Sequence, residues 1–177
     1  MIQPTRLWTA TASMTPQFIS VQTLSGYGGM SMVDPLAQEH ILPPDVDDLS
    51  LGLAVKQALA HSRWVLGSSR PDMSDPPGVE FDADLYDLKK GKERYNAWTD
   101  ALMQRFSLKT KRALFKDMHK CHLSAAQDVL KIEPQRHAKL EGWARERDDG
   151  IEDVIIAANS FPEEIGAALR LAFSRCE

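Results

Sequence analysis

The spacing of apolar residues changes along this 177-residue chain, and that change limits the folds open to it. Segments of strand character lie towards both ends, and three helical stretches lie between them. Residues 6–32 are rich in Thr, Ser, Val and Ile, which predicts strands over 7–12 and 17–24 joined by a turn at Thr15-Pro16. Gly26, Gly28 and Gly29 then read as a turn or bulge. Pro35, Pro43 and Pro44 make 33–48 mostly loop. A helix is expected from Ser50 to about residue 62, burying Leu51, Val55, Ala58 and Leu59 on one stripe. Residues 64–66 form a short apolar run of strand type. Pro71, Pro76, Pro77 and Gly78 stand among many acids in 67–84, which reads as an exposed, mobile loop.

The longest helical pattern covers 85–106, with Leu88, Tyr95, Trp98, Leu102 and Phe106 on the apolar face and lysines and arginines on the wet one. A short helix is expected at 110–118, followed by a hairpin of strands 119–125 and 128–132 that Pro134 ends. Residues 139–147 fit either state, and 153–157 (DVIIA) read as a short buried strand. Ser160 and Glu163 have the spacing of a capping box for a final helix that buries Ile165, Ala168, Leu169, Ala172 and Phe173. Elements of this kind in this order predict one α+β domain over 1–177. Its expected centre is a mainly antiparallel sheet with helices packed on it.

Charge is unevenly divided. The net charge is -4, but residues 1–87 carry -7 and residues 88–177 carry +3. Asp45, Asp47 and Asp48 form one acidic group, and Asp72, Asp75, Glu80, Asp82, Asp84 and Asp87 form another with no base among them. A sequence-independent nucleic-acid binder needs the opposite sign to displace counterions from phosphate, so direct nucleic-acid binding is not expected. An acidic surface suits a basic partner, or serves only solubility. No window approaches the roughly 18 apolar residues that span a bilayer, so no membrane partner is expected. The start of the chain lacks the apolar core of a secretory signal. Two cysteines, Cys121 and Cys176, are too few for a disulfide framework. A reducing cytoplasm is the expected compartment.

Catalytic motifs are sparse. There is no GxxxxGK[ST], no GxGxxG after a strand, no GxSxG and no HExxH. His119, Cys121 and His122 offer zinc-type or nucleophilic side chains. On a strand, however, His119 and Cys121 share a face that His122 does not. No metal or cofactor is therefore expected, and the plainer reading is a buried cysteine beside two edge histidines. The four tryptophans, Trp8, Trp64, Trp98 and Trp143, read as core anchors.

Four stretches carry a family resemblance: LGLAVKQALAHSR (51–63), YNAWTDALMQRFSLKTKRALFKDMHKC (95–121), PQRHAKLEGW (134–143) and SFPEEIGAALRLAFSRC (160–176). They cover a little over a third of the chain. They resemble the immunity proteins of bacterial contact-dependent growth inhibition, the CdiI family. The most specific are KTKRALFKDM and EEIGAALRLAFSRC. The resemblance implies a small cytoplasmic α+β protein that is not an enzyme. It would bind and neutralise the toxic C-terminal domain of a cognate CdiA effector, often a nuclease. Asp45, Asp47, Asp48, Asp72, Asp75, Glu80, Asp82 and Asp84 are the residues expected to face a basic toxin surface, because they are dense, unpaired by nearby bases in sequence, and set in loops. An exposed N-terminal strand pairing with a toxin strand is the other route. The alternative reading is a small metal- or cysteine-dependent hydrolase using His119, Cys121 and His122.

Overall fold

The computed structural model describes residues 4–177. In chain order the elements are β1 (Trp8–Met14), β2 (Ile19–Tyr27), β3 (Met30–Val33), β4 (His40–Leu42), α1 (Asp48–Ala60), β5 (Val65–Leu66), β6 (Glu80–Phe81), α2 (Ala83–Tyr86), α3 (Leu88–Arg105), α4 (Lys111–Phe115), β7 (His119–Ala126), β8 (Val129–Pro134), β9 (Arg136–Lys139), β10 (Gly142–Ala144), β11 (Val154–Ala157) and α5 (Pro162–Ser174). The main sheet runs β11-β8-β7-β1-β2-β3, and every pairing in it is antiparallel. β4 shares the outer side of β2 with β3. Thus β3 pairs with Leu24–Tyr27 of β2, while β4 pairs with Ile19–Val21. The α+β fold with a central antiparallel sheet matches the expectation from sequence.

Alternation along the strands divides the sheet into two unlike faces. Ala10, Ala12, Ile19, Val21, Cys121, Leu123, Leu130 and Ile132 point to one side, where they form a continuous core with α1 and α5. Their neighbours Thr11, Ser13, Ser20, Gln22, Lys120 and His122 point to the other side, which is polar. Phe18 departs from this division. It lies at the end of the β1–β2 turn and joins Leu102, Leu114, Phe115 and Met118 in a second, smaller core under α3 and α4. Each large side chain buried in these cores contributes about 1.5–3 kcal/mol.

The first core depends on how closely α1 and α5 approach. A Cβ at Gly52 would sit 1.7 Å from the carbonyl oxygen of Pro162, and one at Gly166 would sit 2.0 Å from that of Asp48. Each helix thus presses a hydrogen atom into the backbone of the other. Arg170 fixes the same crossing by donating to Asp48 Oδ1 at 2.9 Å and to the carbonyls of Pro44 and Val46. Asp47 starts α1 by accepting from the Ser50 N–H at 2.7 Å.

Several expectations from sequence need correction. Helix α1 is capped by Asp47, not begun at Ser50. The long helix is shorter than 85–106, because Asp87 at ψ 112 separates α2 from α3 and caps the latter. Leu88 consequently lies 82% exposed instead of on the apolar face. The 67–84 segment is not simply loop: Glu80–Phe81 pair in parallel with β5, and Pro76 is buried. The ambiguous stretch around 139–147 resolves into strands, with β10 paired to β9. Residues 154–157 form an edge strand, so Ile155 is 64% exposed while Val154 is buried. The final helix is capped one residue later than expected. The Glu164 carboxylate accepts from the Phe161 N–H at 2.8 Å, and Ser160 donates to the Ala157 carbonyl instead. Among the tryptophans only Trp64 is buried; Trp8, Trp98 and Trp143 are half-buried.

The glycine pair is directly testable. Gly166→Ala is expected to cost about 3 kcal/mol or more, because the methyl group has only backbone to displace. At Gly91 an added Cβ meets nothing nearer than the Arg94 guanidinium at 3.9 Å. Gly91→Ala is therefore expected to stabilise by about 0.5–1 kcal/mol through helix propensity. Urea unfolding of the two variants should show opposite signs.

Candidate functional site: a groove between the third helix and the polar sheet face

Helix α3 lies across the polar face without closing on it. Between them is a groove of about 560 Å³. One wall is the α3 surface at Gly91, Arg94, Tyr95, Ala97 and Trp98. The other is Met32 and Val33 at the end of β3 with Pro35 and Ala37 of the link to β4. Gln22 and Thr23 of β2 and Lys120 of β7 form the floor. This is the place where β2 changes partner from β3 to β4, and the Asp34 N–H closes the gap by donating to the Thr23 carbonyl at 2.9 Å.

The polar groups of the groove are mostly held by one another. Glu39 accepts from Ser20 Oγ at 2.5 Å and from Trp98 Nε1 at 2.8 Å, so it sets the orientation of the indole. Tyr95 donates to Glu141 at 2.7 Å, and both burial and that carboxylate push its phenol pKa up. Lys120 is the exception. Burial pushes its pKa down, its Nζ lies 4.9 Å from the Trp143 ring centroid, and it forms no ion pair among the described residues. Glu39 also has only neutral donors, so the groove holds unpaired charge of both signs, with Lys92 and Arg94 at the rim.

Asp34 anchors the link that makes the second wall. Its carboxylate is buried and accepts from Ser25 Oγ at 2.6 Å, from the Leu36 N–H at 3.0 Å and from Arg63 Nε and Nη2 at 2.6 and 3.0 Å. Burial raises its pKa, but the Arg63 and Ser25 hydrogen bonds outweigh that and hold it below the ordinary carboxylate value. Arg63 also reaches Glu80 and Asp82, at 3.2 and 3.0 Å.

The acids singled out in the sequence are dispersed over other tasks. Asp47 and Asp82 cap α1 and α2. Asp48 pairs with Arg170, Asp75 with Arg70, Glu80 and Asp82 with Arg63, and Asp84 with Lys90. Asp45 and Asp72 are exposed, with no ion pair among the described residues. Although these acids have few bases near them in sequence, five of the eight are paired in the fold, because folding brings in bases that are remote in sequence or lie just beyond the cluster. Sequence reasoning missed the groove itself. Its signal lies in Tyr95 and Trp98, whose helical spacing reads as a core face and which pack against the second core while also lining the groove.

His119, Cys121 and His122 do not assemble into one site. Cys121 is fully buried towards α5, and the neighbouring Cys176 thiol together with burial pushes its pKa far up. His122 is on the opposite face, where burial lowers its pKa. β7 is central between β1 and β8, so neither histidine is at an edge. Among the described residues no three His, Cys, Asp or Glu side chains are gathered as metal ligands would be.

The Asp34–Arg63 pair generates a test with a defined sign. Because the folded pKa of Asp34 is depressed, its contribution is fully present above its unfolded pKa of about 3.8 and is lost as pH falls through the lower folded value. Asp34→Asn is expected to cost about 3 kcal/mol at pH 7. The gap to the parent protein should narrow steadily below about pH 4 in urea titrations repeated across pH.

Comparison with known proteins places this architecture. A family model described as CDI immunity protein (CdiI) matches residues 8–176. Immunity protein CdiI-YPIII of Yersinia pseudotuberculosis serotype O:3 (strain YPIII) is 48% identical over 168 residues, which is 95% of this chain and 94% of that protein. A chain of the CdiA-CT/CdiI toxin and immunity complex from Yersinia pseudotuberculosis superposes with a TM-score of 0.92 at 47% identity, covering 97% of this chain and 98% of that one. A protein of unknown function from Neisseria meningitidis superposes with a TM-score of 0.83 at 38% identity, covering 100% and 99%. With the family model matching residues 8–176 and a relative 48% identical over 95% of the chain, the chain belongs to the CDI immunity protein family, CdiI.

Proposed function

We propose that this chain binds the C-terminal toxin domain of a cognate CdiA effector and neutralises it in the cytoplasm of the cell that makes both. The observation that carries this reading is the match, over 97% of the chain, to a chain of a toxin and immunity complex. No catalysis by the chain itself is required, since blocking by mass is enough. The toxin is read as a nuclease, because the acidic first half of this chain complements the basic cleft that such an enzyme presents to nucleic acid.

The groove is the proposed seat. It is concave, apolar on both walls and polar only at a few fixed points, which suits insertion of a partner segment. Strand addition by the N-terminal strand is not available, because β1 is paired on both sides. The β3 and β4 edge beside the groove has no further strand on its outer side among the described residues, so an extended partner segment has backbone groups to meet there. The acids, above all exposed Asp45 and Asp72, act in this scheme by speeding encounter with a basic toxin, not by fixing the docked complex.

Binding kinetics of the purified toxin domain separate the parts. Ala97 is exposed on the groove wall, so Ala97→Arg should fill the groove without disturbing the core. It is expected to weaken binding by about tenfold or more, mainly through faster dissociation, with an unchanged Tm. The Asp45→Asn, Asp72→Asn double variant should slow association about twofold to fivefold at low salt and leave dissociation alone. Native affinity in Ala97→Arg would remove the groove from the interface. Failure of the parent protein to bind or to protect cells expressing the toxin would remove the immunity reading.

A further inference from the structure

The two cysteines, which the proposed toxin binding does not use, lie 55 residues apart in sequence and meet in the fold. Cys121 Sγ and Cys176 Sγ are 3.7 Å apart. Cys121 is on the central strand β7 and is completely buried against α5. Cys176 follows the end of α5 and is partly exposed. The two thiols therefore differ in access: a small oxidant reaches Cys176 but not Cys121. They differ in acidity as well. The Cys121 thiol, the Gln135 backbone and His119 all favour the Cys176 thiolate against the cost of its burial, and its pKa falls to about 6. Thiolate character together with exposure marks a cysteine that reacts with peroxides, and a second thiol beside it resolves the product.

We propose that Cys176 and Cys121 form a peroxide-sensitive pair that closes to an intramolecular disulfide. In the first step the Cys176 thiolate attacks one oxygen of hydrogen peroxide. The O–O bond breaks, Cys176 becomes a sulfenic acid, and the departing hydroxide takes a proton to leave as water. In the second step the Cys121 sulfur attacks the Cys176 sulfur. The S–O bond breaks, and the hydroxyl leaves as water with the Cys121 proton. Two thiols and one peroxide thus give one disulfide and two waters, and the protein loses two electrons. Closure needs the sulfurs to approach by about 1.7 Å to the normal S–S length. Cys176 lies beyond the last residue of α5, where its N–H still donates to the Phe173 carbonyl at 3.2 Å, so the approach falls to the side-chain torsions of the two cysteines. The bond would fasten the end of α5 to the middle of the sheet, one residue from Lys120 in the groove floor.

The test uses the purified full-length protein, freed of reductant and exposed to a small molar excess of hydrogen peroxide. Intact mass should fall by two hydrogens, thiol titration in denaturant should drop from two groups to none, and peptide mapping should join residues 121 and 176. The Tm of the oxidised monomer should rise by several degrees, because the bond closes a long loop in the unfolded chain. In Cys121→Ala a sulfenic acid should persist at Cys176 and be trapped by dimedone. In Cys176→Ser the buried Cys121 should stay reduced. Persistence of both thiols in the parent protein, addition of two oxygens at Cys176, or linkage only between molecules would each overturn the proposal. The parent measurement decides the matter even if a variant fails to fold, and none of these readouts involves the toxin.

Discussion

The fold depends on a contact in which side chains are absent. Helices α1 and α5 touch through Gly52 and Gly166, each lying against a carbonyl oxygen of the other helix. That approach lets both helices lie on the same face of the sheet and cover Ala10, Ala12, Val21, Leu123 and Ile132 together. A larger residue at either glycine would push the helices apart and open the core between them, at a cost that no nearby side chain can relieve. Small alanines at 10 and 12, 54 and 58, and 168 and 172 continue the same economy of volume through the layer.

With one face of the sheet covered in this way, the other is left polar and only partly roofed. Threonines, serines, Gln22, Lys120 and His122 line it, and α3 bridges it from the side of the second core. A helix lying on polar residues has little reason to seat tightly. It is held at one end by Phe18, Leu102, Phe115 and Met118, and it stands off along the rest of its length. The groove is the space so created. Its walls are positioned by fixed polar contacts: Glu39 accepts from Trp98 across the groove, and Asp34 accepts from Arg63 beneath one wall.

Much of this was legible in the sequence where the signal is local. The β7–β8 hairpin, the GYGG turn with Gly28 and Gly29 at positive φ, and the apolar stripe of α5 follow from spacing and turn chemistry. Other features depend on distant partners and were not legible. Asp48 looks unpaired until α5 brings Arg170 beside it, and Asp34 gives no sign of burial until Arg63 meets it. Tyr95 and Trp98 obey the helical period, yet period alone does not distinguish a core face from a groove wall. Edge and centre also escape a one-dimensional reading: β1 was expected at the margin, and long-range pairing with β7 puts it in the middle.

That pairing also sets when the molecule can be complete. β1 has its full pair of neighbours only after β7 is made, since Thr11 lies opposite His122 and donates to the Cys121 carbonyl across 110 positions of sequence. The first core also needs α5, which follows β7 only after β8 to β11. Folds dominated by such remote contacts form slowly, because a long loop must be closed before any contact rewards it. On a ribosome that adds about 5–20 residues per second, the groove floor waits for residue 120 and the glycine crossing waits for residue 166. A chain stalled before residue 120 therefore supplies no partial version of the groove floor, because the strand that carries Lys120 has not yet been made.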